Sequence, residues 1–193
     1  MKSIEKYYDN TESHIPRNNV KYFVEEIKSN PENAIELGCG AGNDTVYLIK
    51  NSWNVLAVDR EDVEERISNR LNQKEIEKFR FQKQEFESLE LERSNLIIAN
   101  YCLPFCTKDK FEELWNKIKA SILDKGYFIG NFFGINDSWN ATKPEMVFLS
   151  KEQVMELFKD FEIIRFKEIE KDALTGLGKM KHWHIFDVIA KKR

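Results

Sequence analysis

The sequence predicts an α/β protein: a doubly wound, mainly parallel seven-stranded sheet with helices on both faces and a C-terminal antiparallel hairpin. Three observations predict it. Short apolar runs alternate with charged amphipathic stretches as far as residue 133, the pattern of parallel strands joined by crossover helices. One of those runs enters a glycine-rich segment, Glu36-Leu37-Gly38-Cys39-Gly40-Ala41-Gly42-Asn43-Asp44, which opens onto a helical pattern. The chain closes with two long extended stretches around Gly176 and Gly178, as expected of a hairpin.

The elements follow in order. Val20, Phe23, Val24 and Ile27 recur at helical spacing, and Asn30-Pro31 stops the helix. Ala34 to Leu37 is a short strand. Asp44 to Lys50 is a helix with Asn43 or Asp44 as its N-cap. Trp53 to Val58 is the second strand and ends at Asp59. Glu61 to Lys78 places Val63, Ile67, Leu71 and Ile76 roughly on one face of a solvated helix broken near Asn72. Phe79 to Gln84 is strand three, and Leu96 to Ala99 gives the most continuous buried-strand signal. Phe111, Leu114, Trp115, Ile118, Ile122 and Leu123 form the apolar face of a helix packed on the sheet. A fifth strand runs from Tyr127 to Phe133. Ser150 and Gln153 have the spacing of a capping box ahead of Val154, Leu157 and Phe158. Phe161 to Glu170 and His182 to Ala190 are the arms of the hairpin.

Composition narrows the class. The chain has 193 residues, 41% of them hydrophobic, and a net charge of −3. That suits one folded domain and supplies no basic excess for nucleic acid or an anionic membrane. No apolar run approaches the ~18 residues of a membrane helix. Met1 to Lys6 lacks the apolar stretch of a secretory signal, and three cysteines do not make a disulfide framework. The expectation is a cytoplasmic protein, a monomer by default with a homodimer open.

The glycine loop carries the functional signal. Ligands of open α/β sheets bind at the carboxyl ends of strands, and glycines there let a ligand approach the backbone. A dinucleotide fingerprint needs glycine at position 43, where Asn43 stands. A phosphate-cradling loop needs Gly-Lys-Ser/Thr, which the chain lacks. Glu36 ahead of the glycines would repel phosphate and suits a cationic ligand. Asp59 stands 21 residues after Gly38 at a strand end. It either accepts hydrogen bonds from the hydroxyls of a ribose or caps the segment after it.

These motifs resemble those of class I S-adenosylmethionine-dependent methyltransferases. The resemblance rests on Glu36 to Gly42, on Val55-Leu56-Ala57-Val58-Asp59 and on Ile97-Ile98-Ala99-Asn100, and the element order matches over nearly the whole chain. It is closest to small bacterial single-domain members of the tellurite-resistance-like type. Weaker likenesses lie in Asn100 to Phe105, in Phe133-Gly134 with Asp137-Ser138-Trp139, and in Lys181 to Phe186.

The resemblance implies a Rossmann-like domain over residues 1–193, with residues 1–30 as an N-terminal cap over the cofactor. It implies that Glu36, Gly38, Cys39, Gly40 and Gly42 form the cofactor loop and that Asp59 binds the ribose. Arg60 then covers the adenine, which Glu85 and Phe86 flank. Asn100 lies near the methionine amino group, Tyr101 at the mouth of the site, and Arg17 grips the carboxylate. Tyr8 closes over the cofactor.

Methyl transfer asks the protein mainly to align nucleophile and methyl, and alignment supplies up to roughly 7–11 kcal/mol. A base is needed only when the nucleophile arrives protonated; a soft thiolate, selenide or tellurium anion needs none. Candidates on the acceptor side are Tyr101, Asp137, Trp139, His182 and His184. Trp139 is either a lid or a core residue. His182 and His184 share one face of a strand and either hydrogen-bond in place or serve the site. No third ligand is placed for a metal. Phe132-Phe133 and Tyr7-Tyr8 are packing residues or pocket walls, and Cys39 reads as a small residue that fits its loop. With so little chain left for a substrate domain, the expected acceptor is a small molecule. Two other classes stay open: a nicotinamide oxidoreductase and a cofactor-binding regulator without turnover.

Overall fold

The computed structural model describes residues 3–193. Met1 and Lys2, part of the expected cap, lie outside the described residues. Among the described residues, eight strands form one sheet: β1 (Asn33–Leu37), β2 (Asn54–Asp59), β3 (Phe79–Lys83), β4 (Ser94–Ala99), β5 (Ile122–Gly134), β6 (Phe148–Leu149), β7 (Phe161–Leu174) and β8 (Met180–Lys192). Seven of them run in the order β3-β2-β1-β4-β5-β8-β7, and two-residue β6 pairs with β5 alone. The first five are mutually parallel where they pair, and β8 is antiparallel to both β5 and β7. The expected architecture stands, with β6 added.

The α-helices of the described residues are α1 (Ser3–Thr11), α2 (Asn18–Tyr22), α3 (Asn43–Lys50), α4 (Glu64–Ser68), α5 (Lys108–Ser121) and α6 (Lys151–Leu157). A π-helical turn, Phe23–Ile27, prolongs α2 and ends at Lys28 in the left-handed region. Strand alternation sorts the core into two layers. Ala34, Val55, Leu96, Ile98, Ile129 and Ile189 pack with Val20, Phe23, Leu48 and Ile49 of α2, its π turn and α3. Ile35, Leu56, Ile97, Phe128, Phe132 and Val188 face Leu114, Trp115 and Ile118 of α5 and Val154 of α6. Trp115 is the hub of that second layer, 5.1 Å from Phe128 and 5.1 Å from Phe158 between ring centres. Ser150 and Gln153 form the expected capping box at the start of α6.

Three local expectations change. The N-cap of α3 is Gly42, in the left-handed region at φ 74° and with no side-chain bond. Asn43 and Asp44 are thereby free to use their side chains elsewhere. The helix expected over residues 61–78 shrinks to α4 and a 3-10 turn, Ile76–Lys78. Asn72 Oδ1 accepts from the amides of Lys74 and Glu75, a local bond that competes with helix continuation. Ile122 and Leu123 belong to β5 rather than to α5.

Candidate functional site

Strand order reverses between β1 and β4, and the residues singled out by sequence gather at the carboxyl ends there. Gly38, Gly40 and Gly42 all have positive φ, but their missing side chains face different ways. A Cβ on Gly38 would lie 2.4 Å from Cys102 Cβ, and one on Gly42 would lie 2.4 Å from Ile67 Cγ1. Those two glycines make room for the protein itself. A Cβ on Gly40 would meet only Tyr8, at 3.7 Å. Gly40 is the glycine of the three whose side-chain position is left open. Cys39 is buried between them, and burial pushes its thiol well above its ordinary pKa.

Asp59 ends β2 with its carboxylate turned back to this loop. Oδ2 accepts from the Gly40 amide at 2.8 Å. Oδ1 accepts from the Glu61 amide at 3.0 Å and from the Tyr8 hydroxyl at 3.2 Å. Both readings of Asp59 therefore have a basis: it caps a turn and it faces the loop. Past it lies a cleft of about 470 Å³ lined by Arg60, Gln82, Lys83, Gln84, Glu85 and Ser88. Arg60 is exposed there beside Glu61. Phe86 is half-buried and leans on the core layer of α5 and α6.

The other end of the site is acidic and buried. Glu36 receives the hydroxyl of Thr45, and Asp44 accepts from the Arg17 amide at 2.7 Å and from Asn100 Nδ2 at 3.1 Å. Burial, and then the Asp44 charge, raise Glu36 well above the usual carboxylate range. Burial raises Asp44 as well, against the Arg17 and Asn100 hydrogen bonds that lower it. Among the described residues, Glu36, Asp44 and Asp59 make no ion pair with a lysine or arginine. Asn19, which sequence reasoning missed, ties this end to β8: Nδ2 donates to Asn100 Oδ1 at 2.7 Å and to Asp187 Oδ1 at 2.9 Å. Nothing in the local sequence marks Asn19, since its partners lie 81 and 168 positions away.

Arg17 stands exposed at the entrance, its guanidinium 4.5 Å from the centre of the Tyr101 ring. Tyr101 has φ 56°, a conformation that costs a non-glycine residue about 1–2 kcal/mol. It turns the chain off β4 so that Cys102 fills the space beside Gly38. The Tyr101 ring meets Trp183 at 6.0 Å and Phe133 at 6.3 Å, and Trp139 meets Trp183 at 5.8 Å and Phe133 at 6.2 Å. Trp139 is half-buried in this cluster rather than free.

The structure brings Tyr101 and Trp139 together but gives Asp137 and His182 other work. Asp137 is buried on the Lys181 ammonium and also accepts from the amides of Trp139 and His184. Its carboxylate is used up in holding the loop. Along β8, Lys181 and Trp183 point toward the aromatic cluster, so alternation turns His182 and His184 to the other face. His182 bonds there to Asp172 at 2.8 Å and Glu170 at 3.2 Å, and the Asp172 bond, then the Glu170 bond, raise its pKa. His184 lies between the Asn136 amide and Glu168. Among the described residues, no group of three or more His, Cys, Asp or Glu is placed to hold a metal ion, and no helix is long and apolar enough to cross a membrane.

Residues 2–175 match the family described as tellurite resistance protein TehB. The chain belongs to this family. Its fold is that of class I S-adenosylmethionine-dependent methyltransferases. TehB from Haemophilus influenzae superposes with a TM-score of 0.77 at 16% identity, over 92% of this chain and 62% of that one. This TehB-family chain thus spans less than two thirds of that relative. The 1,6-didemethyltoxoflavin-N1-methyltransferase of Burkholderia thailandensis, solved with 1,6-didemethyltoxoflavin and S-adenosylhomocysteine, gives 0.71 at 19% identity, over 98% and 84%. The N-methyltransferase NodS of Bradyrhizobium japonicum WM9, solved with S-adenosyl-L-homocysteine, gives 0.68 at 12%, over 98% and 96%. No curated protein matches the chain.

Proposed function

We propose that this chain is a cytoplasmic S-adenosylmethionine-dependent methyltransferase, of the 2.1.1 class, that methylates a small-molecule acceptor. Residues 1–193 act as one domain and a monomer, with residues 1–30 as the cap. The observation that carries the reading is the group of buried, mutually interacting carboxylates Glu36, Asp44 and Asp59, of which Asp59 accepts from the amide of Gly40. Buried carboxylates that make no direct ion pair with a lysine or arginine favour a cationic ligand, and S-adenosylmethionine carries both an ammonium and a sulfonium. The solved relatives named above, two of them with S-adenosylhomocysteine, support the same cofactor.

When bound, the cofactor supplies a methyl group already activated by the sulfonium. The chain's own residues hold and orient. Asp59 receives the ribose hydroxyls, and Arg60, Glu85 and Phe86 border the adenine. Glu36 and Asp44 offset the ammonium charge, with Asn100 held against Asp44 by its side chain. Arg17 meets the carboxylate from the entrance. Gly40 gives the close approach, while Gly38, Cys39 and Gly42 set the shape of the loop. Tyr101, Trp139 and Trp183 wall the acceptor side and exclude water. Asp137 positions Trp139 and does not act as a base. Aromatic rings with Asp137 committed to Lys181 and with His182 and His184 bonded to acidic residues on the other face suit an acceptor that arrives already deprotonated.

Calorimetric titration with S-adenosylmethionine, S-adenosylhomocysteine and NADH tests the reading. Micromolar binding of the first two and none of NADH is expected. Binding of NADH alone would point to the oxidoreductase class instead. Release of S-adenosylhomocysteine with a panel of small thiols and N-heterocycles tests turnover; consumption only with a protein or RNA acceptor would overturn the small-molecule assignment.

A further inference from the structure

We propose that α1 is an internal plug whose Tyr8 hydroxyl holds the place of a ribose hydroxyl on Asp59, so that cofactor binding must exchange one for the other. The inference rests on the cofactor reading above and adds a competition within the chain.

Three observations carry it. First, the acceptor capacity of Asp59 is nearly spent. An ionised carboxylate offers about four lone-pair sites. The Gly40 amide, the Glu61 amide and the Tyr8 hydroxyl fill three. A ribose that donates through two hydroxyls needs two sites, and it finds two only when Tyr8 leaves. Second, the Tyr8 ring covers the ligand face of the loop: Tyr8 Cε1 is the nearest atom to a Cβ built on Gly40. Tyr8 is itself buried there, at 6% exposure. A phenol and a ribose cannot share that space.

Third, beside the apolar packing of Ile4, Tyr7 and Tyr8 in the cluster of Val46, Val63 and Ile67, α1 is held by polar bonds that can be exchanged. Arg66 of α4 pairs with Asp9 at 2.8 Å and with Glu12. Asn43 Nδ2 donates to the Thr11 carbonyl at 2.8 Å, and Asn10 Nδ2 to the Gly176 carbonyl at 3.2 Å. Gly176 at the tip of the β7–β8 hairpin also packs on Tyr7, where a Cβ would lie 2.5 Å from Cε2. Arg66 is therefore the latch and the hairpin tip is the stop. A protein whose binding-competent form is only a fraction of the population loses that factor in apparent affinity. Weakening the plug returns it.

The test is calorimetric titration of S-adenosylhomocysteine into the full chain, into Tyr8→Phe and into Arg66→Ala, with thermal unfolding to show that each variant is folded. Tyr8→Phe keeps the ring and removes the competing bond. It is expected to bind about three- to tenfold more tightly than the natural chain, the range of one hydrogen bond. Arg66→Ala, which frees α1 without touching Asp59, is expected to shift affinity the same way. Binding by the natural chain with unchanged or weaker binding by folded Tyr8→Phe overturns the plug and leaves the cofactor reading intact. No binding by the natural chain or by either variant overturns both.

Discussion

The Lys181 ammonium sits on both carboxylate oxygens of Asp137, and neither side chain reaches solvent. Trp183 lies 3.8 Å and Trp139 4.5 Å from the ammonium, measured to the ring centres. The pair locks the loop after β5 to the start of β8, since Asp137 also receives the Trp139 and His184 amides. Burial holds the Lys181 pKa below its ordinary value, and the Asp137 carboxylate offsets only part of that.

Removing one partner strands a buried charge. Lys181→Met is expected to destabilise the fold by about 3–5 kcal/mol. The double variant Asp137→Asn/Lys181→Met is expected to recover most of that loss, because no full charge then remains buried. Urea unfolding of the two variants checks this. Equal losses in both would show that the pair is not the source of the effect.

The three glycines divide by what their missing side chains face. Gly42→Val drives a side chain into Ile67 and is expected to cost about 1–3 kcal/mol in packing, beyond the about 1–2 kcal/mol of left-handed backbone. Gly40→Val carries the backbone cost alone and is expected to stay folded while losing S-adenosylhomocysteine binding. Asp59→Ala is expected to weaken the same binding about ten- to hundredfold, as loss of a charged hydrogen-bond acceptor does. Denaturation and titration of the three variants together check the division. A Gly40→Val variant that binds normally would remove the loop from the site.

Glu36 gives a pH signature. Its folded pKa is raised above the ordinary 4.5, so the folded state binds the proton more tightly than the unfolded state. The Glu36 contribution to stability is then fully present below pH 4.5 and is lost as pH rises through the raised folded value. Glu36→Gln is expected to raise the unfolding temperature at pH 8, with little gain at pH 4, and to weaken cofactor binding. Thermal scans at the two pH values check the sign. A lower unfolding temperature at pH 8 would mean that the ionised carboxylate stabilises the fold.

Most of the sheet was legible because alternation and run length are local. Ile97-Ile98-Ala99, the Phe128–Phe132 stretch and the Ser150–Gln153 box read correctly, as each is decided within a few residues. In the region from Glu61 to Lys78 the break near Asn72 was legible, but the helix ahead of it is shorter than apolar spacing suggested, ending at Ser68. The site was half legible. Glu36, Gly40 and Asp59 stand at distinctive positions around one loop. Asn19 gave no signal, and the pairing of Lys181 with Asp137 none, because each acts through a partner far along the chain.

By itself the sequence determined the α/β architecture, the glycine loop at the end of the first strand and the carboxylate at the end of the second. These follow from periodicity and from glycine's access to positive φ. Only the tertiary structure decided which glycine leaves open space beside it, that Asp137 is held by Lys181, that His182 turns away from Trp139 and that Tyr8 rests on Asp59. Each is a meeting of residues from different strands or helices, set by strand order and by which face of the sheet a side chain takes.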